Sequence, residues 1–197
     1  MSAEATVVGA PGYPLRYDVE YPEELSRWLI FVKWLLAIPH FIILWALGMA
    51  SGVIGFIAFF AILFTKRYPR GLFDFVVNVN RWNANVGAYT GLFRDEYPPF
   101  SWEPGQYAVT YEVDYPEELS RWLPLVKWLL AFPHYIVLLL LFIAVSVVYI
   151  IAWFAILFTK RFPRGLFDFI VGVNRWNLRV GAYTGLLRDE YPPFSLR

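Results

Sequence analysis

His40 and His134 are the only imidazoles in this chain, and each directly follows a proline. Each lies seven residues beyond a lysine, Lys33 or Lys127, which is about 10 Å along a helix. An ionisable group that deep in an apolar segment points to function by default. If two such segments packed face to face, the pair of imidazoles could ligate a haem iron or a metal. The plainer alternative is a neutral ring bonded to a carbonyl freed by the proline, or to an aromatic neighbour. With no Cys and no carboxylate close by in sequence, the plainer alternative is the stronger one, and the expectation is of no cofactor and no metal.

The other repeated ionisable groups are Asp95-Glu96 and Asp189-Glu190, with Asp74 and Asp168. Paired carboxylates suit acid–base work, but these have basic neighbours in Arg94, Arg188, Arg70 and Arg164 and no histidine, so they read as surface ion pairs. Arg81-Trp82 and Arg175-Trp176 form candidate lipid contacts, with Arg for a phosphate and Trp among headgroups. No phosphate-cradling glycine loop, nucleophile elbow or zinc motif occurs.

The elements that position these groups follow from composition. Of 197 residues 58% are hydrophobic, 20% aromatic and only 17% charged, and the mean hydropathy is +0.47. Soluble domains carry roughly 25% charge. The 17 basic and 16 acidic groups nearly cancel, which leaves no basic field for nucleic acid. Residues 34–65 and 128–159 hold no Asp, Glu, Lys or Arg, two uncharged stretches of 32 residues. A transmembrane helix needs about 20 such residues, whereas 32 make a rod of about 48 Å. Each stretch is therefore expected to fold into a helical hairpin, turning in the first copy near Gly48, Ser51, Gly52 and Gly55, with one long tilted or kinked helix as the rival.

Residues 17–100 align without a gap on 111–194, with 61 identities in 84 positions, and 15 of the 23 differences fall within 30–59. The expected organisation is an N-terminal tail (1–16), repeat 1 (17–100), a linker (101–110) and repeat 2 (111–197). Within the repeats, hairpins are placed at about 22–67 and 116–161, and amphipathic interfacial helices at about 71–93 and 165–187. The alternation Tyr17, Val19, Tyr21 and its copy Tyr111, Val113, Tyr115 predict short strands able to pair as a ribbon. Pro22 with Glu23 and Glu24 reads as a helix start, and Pro39 and Pro133 as kinks. In the helix from Gly71, the stripe Leu72, Phe75, Val76, Val79, Trp82, Val86, Tyr89 recurs at helical spacing, with Trp82 and Trp176 as interfacial anchors. The fold class is thus an all-α integral membrane protein. Hairpins return the chain to its starting side, so Arg27, Lys66, Arg67 and Arg70 and their copies share one face, which the positive-inside rule makes cytoplasmic together with both termini. Residues 1–16 lack the features of a signal peptide.

The order of Tyr-Pro-Glu-Glu-Leu-Ser-Arg-Trp-Leu (21–29, 115–123), Val-Lys-Trp-Leu-Leu-Ala, Pro-His (39–40, 133–134), Phe-Ala-Ile-Leu-Phe-Thr, Arg-Gly-Leu-Phe-Asp-Phe and Asp-Glu-Tyr-Pro-Pro-Phe resembles the bacterial membrane family DUF4389, here as a tandem pair. The resemblance implies a prokaryotic protein of the cytoplasmic (inner) membrane and brings no catalytic residue with it.

An enzyme needs clustered polar groups, and these stretches offer mainly Thr, Ser and aromatics. The expectation is a non-enzymatic accessory or scaffold subunit packed against a larger membrane complex, with the bilayer and other membrane subunits or itself as partners. Its strands and its Pro-Pro-Phe motifs (98–100, 192–194) would supply a docking face. One alternative is a membrane-shaping hairpin protein, and another is a haem- or lipid-binding protein using His40 and His134.

Overall fold

The computed structural model describes residues 12–197; residues 1–11, most of the expected tail, lie outside them. In chain order the elements are β1 (Leu15–Val19), α1 (Leu29–Leu36), α2 (Ile38–Thr65), α3 (Arg70–Thr90), β2 (Val109–Val113), α4 (Leu123–Leu130), α5 (Phe132–Thr159) and α6 (Arg164–Thr184).

The hairpins are not there. Residues 38–65 and 132–159 are each one uninterrupted helix of 28 residues, about 42 Å long. Gly48, Gly52 and Gly55 sit inside α2 with open space where a Cβ would be. Isolated glycines weaken a helix by about 1 kcal/mol each, and no Pro, Asn or Asp beside them offers a turn. The proline acts earlier. Pro39 and Pro133 stand in the first turn of α2 and α5, and the break falls at Ala37 and Ala131, just before. Hydrogen bonds from Ala37 N to Lys33 O and from Phe41 N to Ala37 O nearly carry the helix across that break. The start is also later than expected. Residues 22–26 are not helical, because Leu25 N donates to Lys160 O and Ser26 N to Asp95 Oδ2, and the first helix begins at Leu29.

Three layers result. The expected strands do pair: β1 and β2 form an antiparallel ribbon with Tyr17 opposite Tyr111. Their inward side chains Leu15, Tyr17, Val19, Val109 and Tyr111 are buried. Beneath lie α3 and α6, and beneath those α2 and α5. The amphipathic helices appear where expected, but their apolar face includes Phe73 and Val77 rather than Phe75, which is only partly buried.

The two repeats exchange their strands. β1, which opens repeat 1, packs on α6 of repeat 2, and β2 packs on α3 of repeat 1. The strands run on into two matching straps. Leu25 N donates to Lys160 O and Leu119 N to Lys66 O, both at 2.8 Å. Both lysines are left-handed, with φ of 59° and 61°, and close their helices. The hydrogen bond from the Lys66 ammonium holds the Glu118 carboxyl below its ordinary value. Because Arg27 also reaches Phe158 O, the start of the first long helical segment lies beside the end of the second. The two run antiparallel.

Candidate functional site

Each repeat closes an aromatic cage around its histidine. His40 has no exposed surface. Its ring stacks on Phe100 at 4.0 Å, with Tyr97 at 5.0 Å and Trp82 edge-on at 5.8 Å. The Trp82 indole N–H donates to His40 Nδ1 at 3.1 Å, so the ring carries its proton on Nε2. Repeat 2 copies this with Trp176 to His134 Nδ1 at 3.0 Å and Phe194 stacked at 4.0 Å. The helix positions His40 one turn past the break, and the Tyr-Pro-Pro-Phe segment after α3 folds back to cover it. The two imidazoles therefore stand in separate cages, each built by its own repeat.

This arrangement relocates the other candidates. Trp82 and Trp176 are about 5% exposed, at 6% and 5%, and so are not interfacial anchors: a buried indole needs an acceptor for its N–H, and the imidazole supplies it. The exposed indoles are Trp28, Trp34, Trp45, Trp102, Trp122 and Trp128. Phe100 and Phe194 each give one ring face to a cage and remain 54% and 53% exposed, so the Pro-Pro-Phe motifs stay at the surface. Arg81 and Arg175 hold the exchanged ribbon instead of a lipid phosphate. Arg81 Nε donates to Tyr111 O at 3.0 Å and its Nη1 to Trp102 O at 3.0 Å. Arg175 Nε donates to Tyr17 O at 2.7 Å, Nη1 to Leu196 O, and Nη2 pairs with Asp18. Between strand and helix, Asn80 Nδ2 donates to the Tyr111 hydroxyl at 3.3 Å, and burial pushes that phenol up to about 12.

The repeated acids are ion-paired, but not all with the expected partners. Arg70–Asp74 and Arg94–Glu96 are adjacent pairs at the surface. Asp95 instead meets Lys33 at 2.7 Å, and Asp189 meets Lys127 at 2.8 Å, with both lysine side chains only 2% exposed. Each ammonium also donates to a carbonyl, Arg94 O or Arg188 O, and lies near a tyrosine ring. These lysines marked the edges of the uncharged stretches, yet nothing in their sequence neighbourhood paired them with acids 62 residues on. Among the described residues no group of three or more potential metal ligands occurs.

What this geometry does is hold the fold together. The two cages, the two buried ion pairs and the two arginine clasps fix helix to helix and strand to helix. Trp82→Phe is expected to lower stability by about 2 kcal/mol, since it leaves buried Nδ1 without a donor. Thermal unfolding in detergent micelles reads this, and an unchanged midpoint would remove the cage's structural role.

A family model described as a domain of unknown function, DUF4389, matches residues 27–101 and 122–195. No curated protein and no solved structure matches the chain.

Proposed function

We propose, for a chain that belongs to the DUF4389 family through both of its repeats, a non-enzymatic role as a membrane scaffold or accessory subunit. In this reading it is seated lengthwise in one leaflet and offers its ribbon face to partners in water. The helix Ile38–Thr65 and the segment Leu123–Thr159 are long and apolar enough to cross a membrane. Their outward residues, including Ile42, Trp45, Val53, Phe56, Phe64, Leu139, Ile143 and Phe158, are exposed.

One observation carries the lengthwise reading: the charged ribbon lies level with the middle of the long helices. Tyr111 shares a cavity with Gly52 and Gly55 of α2, and Tyr17 shares one with Tyr149 of α5. Were these helices to stand across the bilayer, Arg16, Asp18, Glu112 and Asp114, all about half exposed, would sit in hydrocarbon. Each charge there costs about 3 kcal/mol or more. Laid lengthwise, the apolar layer meets lipid and the ribbon meets water at no such cost. The expectation of a multi-pass chain rested on hairpins; the two long apolar segments that replace them are set lengthwise in this reading. Lys66, Arg67, Arg70, Lys160, Arg161 and Arg164 cluster at the helix ends, suited to anionic headgroups. That favours the cytoplasmic leaflet of a prokaryotic inner membrane, with both termini in the cytoplasm.

The chain has no cysteine, so single cysteines can be placed freely. Spin labels at Phe41→Cys, Val53→Cys and Phe64→Cys, spread over about 35 Å of helix, should show equal depth by oxygen accessibility. A label at Glu112→Cys should face water. A deep Val53 between two shallow ends would overturn the reading in favour of a crossing helix. A partner recovered at fixed ratio from native membranes in mild detergent would support the scaffold role.

A second reading, membrane shaping, is favoured by the same one-sided layout, because two helices of about 42 Å in one leaflet expand it over the other. Protein recovered without a partner, together with tubulation of vesicles by the purified chain, would favour this reading.

A further inference from the structure

The repeats differ most where their long helices pass α3 and α6. At the offset of 94 residues, Ser51, Gly52 and Gly55 of α2 become Val145, Ser146 and Tyr149 of α5. On the α2 side a cavity of about 450 Å³ opens, lined by Ser51, Gly52, Gly55, Asn80, Tyr111 and Asn177 among others. Drug-sized ligands occupy pockets of about 300–1,000 Å³. A Cβ on Gly52 or Gly55 would meet nothing within 4 Å. The Ser51 hydroxyl oxygen is buried there without a partner among the described residues, whereas Ser146 on α5 donates back to Phe142 O at 2.9 Å. No Lys, Arg, Asp or Glu lines the cavity. Gly52 brings it to the surface beside exposed Met49, Val53 and Phe56 of the apolar face, and Asn177, Gly181 and Gly185 are the other exposed residues of its lining.

We infer that this cavity binds an uncharged amphiphile from the leaflet, a lipid with hydroxyl groups on an apolar body. A charged ligand would be buried without a counter-ion, which costs several kcal/mol. A pure hydrocarbon would leave the buried Ser51 hydroxyl without a hydrogen bond. The α5 side is narrower and differently lined. Tyr149 stands in the corresponding space, which keeps about 370 Å³ beside Tyr17, Asn83 and Asn174, and its hydroxyl comes 3.0 Å from where a Cβ on Gly91 would stand. The glycine floor and the unpartnered serine hydroxyl thus belong to one side only of a molecule that is otherwise doubled. It rests on the reading that the apolar face lies in lipid, but not on whether the helices lie along or across the bilayer.

The test is photolabelling of the full chain in nanodiscs with a diazirine derivative of dioleoylglycerol, mapped by mass spectrometry. Saturable labelling of one ligand per chain is expected, on peptides around residues 49–56 and 177–185. Gly55→Tyr, which copies the other repeat, should reduce it at least fivefold. Ser51→Val, copying Val145, is the milder variant and should weaken labelling about threefold even if the tyrosine perturbs folding. Tyr149→Gly should raise the ratio towards two, with new label around residues 143–150. Unlabelled dioleoylglycerol should compete, and dioleoylphosphatidylglycerol should not. Labelling spread over both long helices and unchanged by these substitutions would overturn the proposal, as would equal competition by the anionic lipid. A failure of the lengthwise reading would show in the spin-label depths and leave this labelling intact.

Discussion

Asp95→Asn is expected to lower the stability of the fold by about 3 kcal/mol, the largest loss from any single isosteric change in repeat 1. The Lys33 side chain is 2% exposed, and Asp95 is its only carboxylate partner among the described residues. Asparagine keeps the shape and the contact with Ser26 N, and removes the charge that offsets a buried ammonium. Breaking such a pair from one side costs more than the pair contributes, because the remaining charge stays out of water. The double variant Lys33→Met with Asp95→Asn should therefore recover part of the loss. Recovery stays incomplete, since the Arg94 carbonyl loses the ammonium that donates to it at 2.7 Å. Unfolding in detergent micelles measures both variants. A single variant within about 0.5 kcal/mol of the parent, the ordinary range for surface changes, would show that Lys33 gives up its proton instead.

Arg175→Met should also cost about 3 kcal/mol, and it should act on a distant part of the chain. Methionine keeps the apolar stem, while Tyr17 O, Leu196 O and Asp18 all lose their donor. Buried acceptors left unpaired cost about 1–3 kcal/mol each, less where water can enter. Amide exchange in Leu15–Val19 should quicken with the loss. Arg81→Met, at the matching place, should cost less than half as much, because Arg81 is only partly buried whereas Arg175 is 6% exposed. Equal effects at the two sites would mean that the exchanged strands are held by the ribbon's own hydrogen bonds and not by the arginines.

The duplicated architecture, the strands and the amphipathic helices were legible because each depends on local periodicity. The strand residues Tyr17, Val19, Tyr111 and Val113 alternate, and Trp82, Val86 and Tyr89 recur at helical spacing. The long helices were misread for a geometric reason. A rod of 32 residues is too long only if it must stand upright in a bilayer, and hydropathy alone contains no direction. Trp82 and Arg81 were misplaced because an amphipathic side chain suits a membrane interface and a buried hydrogen bond equally well. What chooses between them is a partner distant in sequence, His40 for one and the Tyr111 carbonyl for the other. The link from Lys33 to Asp95 was invisible for the same reason, since it depends on how α3 returns along α2.

The strand exchange bears on how such a chain could arise. A repeat standing alone would have no α6 for β1 to lie on, so its own strand would be covered only by a second copy. Joining two copies through residues 101–110 makes that encounter intramolecular, and a short tether supplies an effective concentration in the millimolar range. A two-fold assembly of separate copies must change both halves at once, because one gene writes both. Fusion lifts that constraint. Gly55 opposite Tyr149, and Asn85 opposite the fully buried Arg179, are places where the two halves have already used the freedom to differ.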